Sequence, residues 1–222
     1  MPLALTLPNS AGVCMLLLVS NLLLWEHVAS KPTGSVSTGD LYDRVVGQSH
    51  TTYNLAADLY YEFDVKYFKS SWYKTRMPSL CHTASIHTPE SREEVHEIKT
   101  EDLLKTMINI SHAWEEPLKH LVSAVPTLPG ASDKMLKIAN AVKDKIHVLL
   151  AGMKTILSRS HKEVEKDAYP VWSGLADLQS SDEDTHLFAF YTLVRCLRRD
   201  THKTDAFLKV LRCREIFNNE CF

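Results

Sequence analysis

Four long segments of the chain repeat apolar residues at the spacing of one helical face. The segments begin at or near Asp40, Thr100, Ser132 and Ser180. Each is long enough for a helix of roughly 40 Å, because an α-helix rises about 1.5 Å per residue. Helices of this length bury their apolar faces against one another, so the pattern predicts an all-α four-helix bundle.

Local signals predict the helix ends and the core. Thr100 is predicted to cap the second helix, and Ser180 is predicted to form a capping box with Glu183 at the start of the fourth. Pro117 lies inside the second helix, where we expect a kink rather than an end, and Trp114 is expected in the core. The third helix alternates apolar spacings of four and three residues between positions 135 and 156, as a bundle seam does. The predicted core stripe of the first helix is Leu41, Val45, Thr52, Ala56, Leu59, Phe63 and Tyr67.

The connections between the helices predict the topology of the bundle. About nine residues, including Pro126, Pro129 and Gly130, join the second and third helices, which should therefore be antiparallel neighbours. The first and third connections, near residues 69–99 and 158–180, are long enough to cross over the bundle. A long, a short and a long connection are typical of the up-up-down-down bundle of long-chain cytokines, with two crossover loops.

The first thirty residues predict a secretory signal peptide. Residues 13–24 are almost wholly apolar, but about a dozen residues are too few for a membrane span, which needs roughly 20. Val28 and Ser30 supply the small residues of a cleavage site, although no Lys or Arg precedes the apolar stretch. A buried core helix is the alternative. We assign residues 1–30 to a signal peptide and residues 31–222 to one secreted, extracellular domain.

Secretion makes disulfides the expected state of the cysteines, because the extracellular compartment is oxidising. Four cysteines remain after residue 30, at positions 81, 196, 213 and 221, and they allow three pairings. Cys196 and Cys213 lie 17 residues apart on one predicted helix, about 25 Å, which is too far for a disulfide. Cys221 could reach Cys196 only with its tail almost fully extended, so Cys81–Cys196 and Cys213–Cys221 are favoured. No C-x-x-C pair indicates a zinc site instead.

Composition and incomplete motifs argue against an enzyme or a nucleic-acid-binding protein. The formal charge is −2, and seven glycines are few for a protein with phosphate-binding loops. His96 and Glu97 begin a zinc-protease H-E-x-x-H motif, but Thr100 stands in place of the second histidine. Ser173 lacks the preceding glycine of a nucleophile elbow, because residue 171 is valine. We therefore expect no catalytic residue and no cofactor.

Several sequence motifs, spread along the chain after residue 30, carry a family resemblance. They are LYDRVV at 41–46, CHTASIHTPE at 81–90, AWEEPLKHLV at 113–122, YPVWSGL at 169–175 and CLRRDTHK at 196–203. Together they resemble the prolactin and growth hormone (somatotropin) family over this whole region. The stretch before Leu41 lacks the small N-terminal disulfide loop of prolactin, and in this the chain is similar to the I-type placental lactogens of that family.

The resemblance implies a secreted, monomeric polypeptide hormone that binds and dimerises a prolactin-type receptor at the cell surface, one hormone to two receptors. It implies the same two disulfides, and neither nucleic acid nor membrane insertion is expected. The receptor surface on the first and fourth helices, called surface one, is expected to contain His50, Arg195, Arg199, His202, Lys203, Asp205 and Lys209. The receptor surface on the third helix, called surface two, is expected to contain Val148, Gly152 and Thr155.

Three further expectations concern single sites. Gly152 should face solvent and admit the second receptor close to the backbone, so that Gly152→Arg leaves folding intact. Asn109 begins an N-x-S sequon and is a predicted glycosylation site. The possible zinc ligands are His50, His202 and Asp205. They should bind zinc weakly at most, because Tyr53 stands where relatives place another histidine.

Other interpretations of the same residues compete with a hormone. The charged residues of the fourth helix also fit an ordinary solvated face. A divergent member of the family could act on another receptor, or on glycosaminoglycan through Arg195, Arg198 and Arg199. A carrier with a ligand cavity inside the bundle is the third interpretation.

Overall fold

The computed structural model describes residues 36–67, 80–160 and 169–217, and within these ranges the chain is helical without a strand. The helices are α1 (Thr38–Tyr67), α2 (Arg92–Glu97), α3 (Thr100–Ala113), α4 (Glu115–Ala124), α5 (Asp133–Arg159), α6 (Leu175–Leu178) and α7 (Glu183–Phe217). Short 3₁₀ turns occupy His82–Ser85 and Val125–Thr127. The predicted signal peptide lies outside the described residues.

Contacts between helices fix their directions. The pairs are Asp43 with Arg212 and Phe63 with Phe190 between α1 and α7, and Thr38 with Arg159 and Glu62 with Lys134 between α1 and α5. As the residue number rises along α1, the numbers of the contacting residues fall along α5 and along α7. Both helices therefore run antiparallel to α1. Trp114 bonds to Asp200 and Thr127 lies beside His186, which makes α3 and α4 antiparallel to α7 as well. The first two long helices therefore run one way and the last two the other, which confirms the predicted up-up-down-down bundle.

The apolar periodicity predicted the core closely. The seam of α5 from Met135 to Ile156 is buried, as is Trp114. In α1 six of the seven predicted core residues are buried, whereas Leu41 is only partly covered and its neighbour Tyr42 is buried in its place. Ser49 is also buried, at a position where the apolar pattern predicted no core residue.

The second long helix is interrupted at Trp114, three residues before the proline at which we predicted a kink. Pro117 has no backbone N–H, so the carbonyl of Ala113, four residues earlier, loses its helical donor. His82 of the first crossover compensates, because its Nε2 lies 3.0 Å from the Ala113 oxygen and its ring stands edge-on to the Trp114 ring at 4.8 Å. Burial lowers the pKa of His82, which favours the neutral ring with its proton on Nε2.

The structure corrects both predicted helix caps and shows another at Ser132. Ser132 caps α5, where its hydroxyl accepts from the backbone N–H three residues later at 3.2 Å. Thr100 is the first helical residue of α3 rather than its cap. At α7 the capping side chain is Asp182, which accepts from the Thr185 N–H at 2.8 Å, so the predicted capping box at Ser180 is wrong. Ser180 instead accepts from the N–H of Asp182.

The predicted disulfide between Cys81 and Cys196 is present, with the two Cα atoms 5.6 Å apart. Both cysteines are buried, because the first crossover covers this part of α7. Cys213 is also disulfide-bonded, and its predicted partner Cys221 lies outside the described residues. The first crossover is therefore attached to the outer side of α7, next to surface one.

Candidate functional site

The structure divides surface one into two groups of residues with different roles. One group lies along the junction of α1 and α7: His50, His202, Asp205 and Lys209. The other group contacts the first crossover: Arg195, Arg199 and Lys203. Of these seven residues, three are exposed, three are partly exposed, and Asp205 is buried.

Asp205 is a buried acceptor rather than an exposed contact residue. It is 4% exposed, and its carboxylate accepts from the Ser49 hydroxyl at 2.9 Å and from Lys209 Nζ at 2.6 Å. His50 Nδ1 lies 3.6 Å from the same carboxylate. Asp205 therefore holds Lys209 and His50 in place from below, because a buried carboxylate needs partners on its oxygens.

His202 is exposed, as are His50 and Lys209. The His202 ring packs on Tyr53, with the ring centroids 4.9 Å apart. Within residues 36–67, 80–160 and 169–217, no three His, Cys, Asp or Glu side chains are grouped to hold a metal ion. His50, His202 and Asp205, the possible zinc ligands, thus do not form such a group.

Three cations of α7 contact the first crossover and are only partly exposed. Arg199 Nη2 donates to the Thr83 hydroxyl and Lys203 Nζ to the Thr88 hydroxyl, both at 2.7 Å. Arg195 Nη2 lies 3.8–4.0 Å from the two sulfurs of the disulfide. These cations recur every four residues, so they form one row along the helix. The main role of this row is to attach the crossover to α7. The sequence could not indicate that role.

Aromatic residues that the sequence did not single out extend the α1–α7 junction. The Arg198 guanidinium lies 5.2 Å from the centre of the Tyr60 ring, and Tyr60 lies 6.1 Å from Tyr191. Arg198 is exposed, and Tyr60 is partly exposed. The spacing of the tyrosines could have indicated this extension, because Tyr60 lies two helical turns after Tyr53.

Surface two differs from the prediction at its central residue. Val148 is 52% exposed and Thr155 is exposed, as expected. Gly152 is only partly exposed, and a Cβ at this position would lie 2.8 Å from Cγ2 of Val45, a buried residue of α1. Gly152 therefore lets α1 and α5 approach closely, and any larger residue there requires Val45 or the helices to shift. Whether Gly152→Arg leaves folding intact stays a prediction to be tested.

The carrier interpretation requires a cavity inside the bundle. The cavity between the helices beside Ser49, Thr52 and Thr204 measures about 10 Å³, room for a single water molecule at most. Larger depressions of about 310 and 380 Å³ lie along α4 and open to solvent. The interior cavity is too small for an organic ligand.

Asn109, the predicted glycosylation site, is partly exposed on α3. The sequon serine, Ser111, is buried, and its hydroxyl donates to the Met107 carbonyl. A glycan would therefore have to be attached before this helix packs, while the serine is still accessible.

Comparison with known proteins gives the same family as the motifs. The model of the somatotropin hormone family matches residues 17–221. Prolactin-3D4 of Rattus norvegicus is 62% identical and Prolactin-3D1 of Mus musculus is 58% identical, each over the whole of both chains. Prolactin-3B1 of Mesocricetus auratus is 51% identical, again over the whole of both chains.

The proteins of this family are signalling hormones and not enzymes. They are secreted, and they bind cytokine-type receptors. In the part of the chain that the structure describes, no helix is both long and apolar enough to cross a bilayer. The family match covers nearly the whole chain and agrees with the helical bundle, the Cys81–Cys196 disulfide and the motifs. The chain belongs to the somatotropin hormone family.

Proposed function

We propose that the chain is a secreted hormone that binds one prolactin-type receptor through surface one and a second through surface two. The observation that carries the proposal is the row of aromatic and cationic side chains at the α1–α7 junction. The row consists of Tyr53 with His202 and Tyr60 with Arg198. Tyr and Arg are enriched among the residues that dominate binding energy at protein interfaces.

Contacts within surface one restrain its side chains before a partner arrives. Asp205 fixes Lys209 with a 2.6 Å bond and is itself tied to Ser49 of α1. Tyr53 packs on His202, so both rings are restrained. A preorganised surface loses less side-chain entropy on binding, which supports a specific partner over an ordinary solvated face.

The two surfaces allow two receptors because α5 and α7 pack on different sides of α1. Val148 and Thr155 supply the exposed part of surface two, and Gly152 acts beneath them through its contact with Val45. Surface two has fewer aromatic and cationic groups than surface one. We therefore infer that surface one binds first and more tightly.

The first experiment measures receptor binding with the secreted hormone and a soluble prolactin-type receptor ectodomain. His202→Ala combined with Lys209→Ala should weaken the first binding step about tenfold or more, as loss of interface contacts does. Lys137→Ala, an exposed cation on α5, is the control and should bind as the parent does. Equal binding by the double variant and the control would contradict the assignment of surface one.

Stoichiometry tests surface two. Thr155→Arg places a long charged side chain at an exposed position of α5, and Ser123→Arg makes the same change on α4. Light scattering should show one receptor per hormone for Thr155→Arg and two for Ser123→Arg and the parent. Thr155→Arg should then occupy receptor without stimulating the growth of receptor-bearing cells. A complex with two receptors would contradict the role of α5.

The remaining proposals concern processing. Cells should release the chain without residues 1–30 and as a monomer. Glycosylation at Asn109 should add mass that an N-glycanase removes and that Asn109→Gln abolishes. We expect zinc to bind weakly at most, so a micromolar or tighter site by calorimetry would contradict this.

Glycosaminoglycan is less well supported as a partner. Arg199 is bonded to Asp200 and Thr83, and Arg198 packs on Tyr60, so these cations already have partners. Retention on heparin at physiological salt, lost in Arg198→Ala, would favour that alternative.

A further inference from the structure

Asp200 is one of the least exposed side chains of α7, although it carries a charge. The residue is 1% exposed, and its carboxylate has four close contacts with donors. Oδ1 lies 2.8 Å from Arg199 Nε and 2.7 Å from Arg199 Nη2. Oδ2 accepts from the Thr83 hydroxyl at 2.6 Å and from Trp114 Nε1 at 2.9 Å.

These contacts join three separate parts of the chain. Thr83 belongs to the first crossover, Trp114 marks the break between α3 and α4, and Arg199 is on α7. Arg199 Nη2 also donates to the Thr83 hydroxyl at 2.7 Å. Thr83, Asp200 and Arg199 thus form a closed triangle of hydrogen bonds, in which each member contacts the other two.

We infer that Asp200 is a positioning residue for surface one: it orients the Arg199 guanidinium and fixes the first crossover against α7 beside the receptor. The inference rests on the proposed function. Asp200 is too buried to touch a receptor, whereas the Arg199 side chain remains 35% exposed. Asp200 therefore acts through Arg199 and Thr83 and not by direct contact.

The disulfide alone does not fix the crossover. The bond between Cys81 and Cys196 attaches the crossover at one point, about which the neighbouring chain can still turn. Thr83, two residues later, gives a second attachment through Asp200. Together with the contacts of His82 with Ala113 and of Thr88 with Lys203, this bond orients the crossover on the helices.

Thr83→Val gives the sharpest test, because it keeps the shape of the side chain and removes the hydroxyl. Thr83→Ser keeps the hydroxyl and should restore binding. With the full secreted hormone, the receptor dissociation constant at surface one should rise about tenfold for Thr83→Val, as expected for a lost charge-assisted bond. The constant for Thr83→Ser should stay within about twofold of the parent.

Thr88→Val is the matched control. Thr88 lies in the same crossover and accepts from a cation of α7, Lys203, in a hydrogen bond that does not involve Asp200. Its effect on receptor binding should be clearly smaller than that of Thr83→Val. Equal losses in the two variants would mean that the two bonds between crossover and helix contribute alike, and would overturn a special role for Asp200.

A double-mutant cycle separates positioning from general stability. Thr83→Val and Arg199→Gln should be strongly non-additive in receptor binding, because both act through the same guanidinium. All measurements use conditions in which circular dichroism shows every variant fully folded. Additive effects, or parent-like binding by Thr83→Val, would overturn the inference.

A measurement made without receptor tests the positioning role independently of the proposed function. In nitrogen-edited NMR the Arg199 Nε proton should exchange slowly with water in the parent, because Asp200 holds it. Exchange should be about tenfold faster in Asp200→Asn. Slow exchange in a parent that binds no prolactin-type receptor would refute the proposed function only. Exchange as fast as in free arginine would refute the positioning role, whether or not the receptor binds.

Discussion

Surface one and surface two lie on different helices and depend on different kinds of contact. Beneath surface one, Asp200 and Asp205 are buried carboxylates whose oxygens bond to α1, the first crossover and α7. Beneath surface two, Gly152 lies directly against Val45 of α1, and the limiting contact is steric. One surface is supported by hydrogen bonds and the other by close packing.

This difference determines how each surface should respond to substitution. A buried hydrogen bond is sensitive to chemistry and tolerant of a change that keeps donor and acceptor. A close helix contact is sensitive to volume and indifferent to charge, because the neighbouring atoms cannot move far in a packed core.

Trp114→Ala should have the largest effect on stability. Trp114 is 1% exposed, and its indole N–H bonds to Asp200. Removing it should lower the free energy of unfolding by about 3–5 kcal/mol, as large-to-small core changes do. Trp172→Ala is the control, because Trp172 is only partly buried, and it should cost much less. A loss below about 1 kcal/mol for Trp114→Ala in denaturant titration would contradict the buried network.

Gly152→Arg should destabilise the fold by about 1–3 kcal/mol, because its Cβ would meet Val45 at 2.8 Å and the helices would have to shift. Gly47→Arg is the matched change on α1, where a Cβ would meet nothing within 4 Å. It should be neutral, or stabilising by up to about 1 kcal/mol, because Arg has the better helix propensity. Urea titration of both variants gives the comparison. Equal stabilities would mean that Val45 can move aside and that surface two is not limited by packing.

The sequence was sufficient for the helices and most of the core, because apolar spacing is a local property. It did not distinguish Ser180 from Asp182 as the cap of α7, since residues 180–182 read Ser-Ser-Asp and each can cap. For Gly152 the sequence did contain a sign that the residue lies close to the core. Leu149 and Ile156, three and four residues away, are both seam residues, so a helical projection places Gly152 beside the seam.

The roles of the α7 cations could not be read from the sequence. Arg195, Arg199 and Lys203 have the spacing of an exposed stripe. Whether such a stripe meets solvent depends on where a crossover more than a hundred residues earlier lies. The disulfide prediction placed the crossover near α7, but hydroxyl contacts at Thr83 and Thr88 are set by tertiary packing alone.

Ser49→Ala should lower the free energy of unfolding moderately, because it removes a hydrogen bond beneath surface one. The Ser49 hydroxyl is buried and 2.9 Å from the Asp205 carboxylate. Its loss should cost about 1–2 kcal/mol, because the buried acceptor loses one partner. Ser123→Ala, at an exposed position of α4, should stay within about 0.5 kcal/mol of the parent. Similar values for the two serines in urea titration would show that Asp205 does not depend on α1.

His82 should add a small pH dependence to the free energy of unfolding, again through the hydrogen-bonded residues beneath surface one. Burial lowers its pKa from the ordinary value of 6.5, and the Ala113 carbonyl and the Asp200 carboxylate offset only part of this effect. The unfolded chain therefore takes up a proton near pH 6.5, whereas the folded chain does so only at lower pH. Between these two pH values the unfolded state binds more protons, so the free energy of unfolding falls as the pH is lowered through this window.

His82→Gln isolates this contribution, because glutamine keeps an N–H donor for the Ala113 carbonyl but does not titrate. Urea titrations between about pH 8 and pH 5 should show a shallower loss of stability in the variant than in the parent. Above the ordinary histidine range the difference in stability should no longer change with pH, since the ring is then neutral in both states. The same slope in both proteins would mean that the ring is already solvated in the folded state. In that case the break at Trp114 would depend on the Asp200 bond alone, and the pH dependence of the fold would have to come from other histidines.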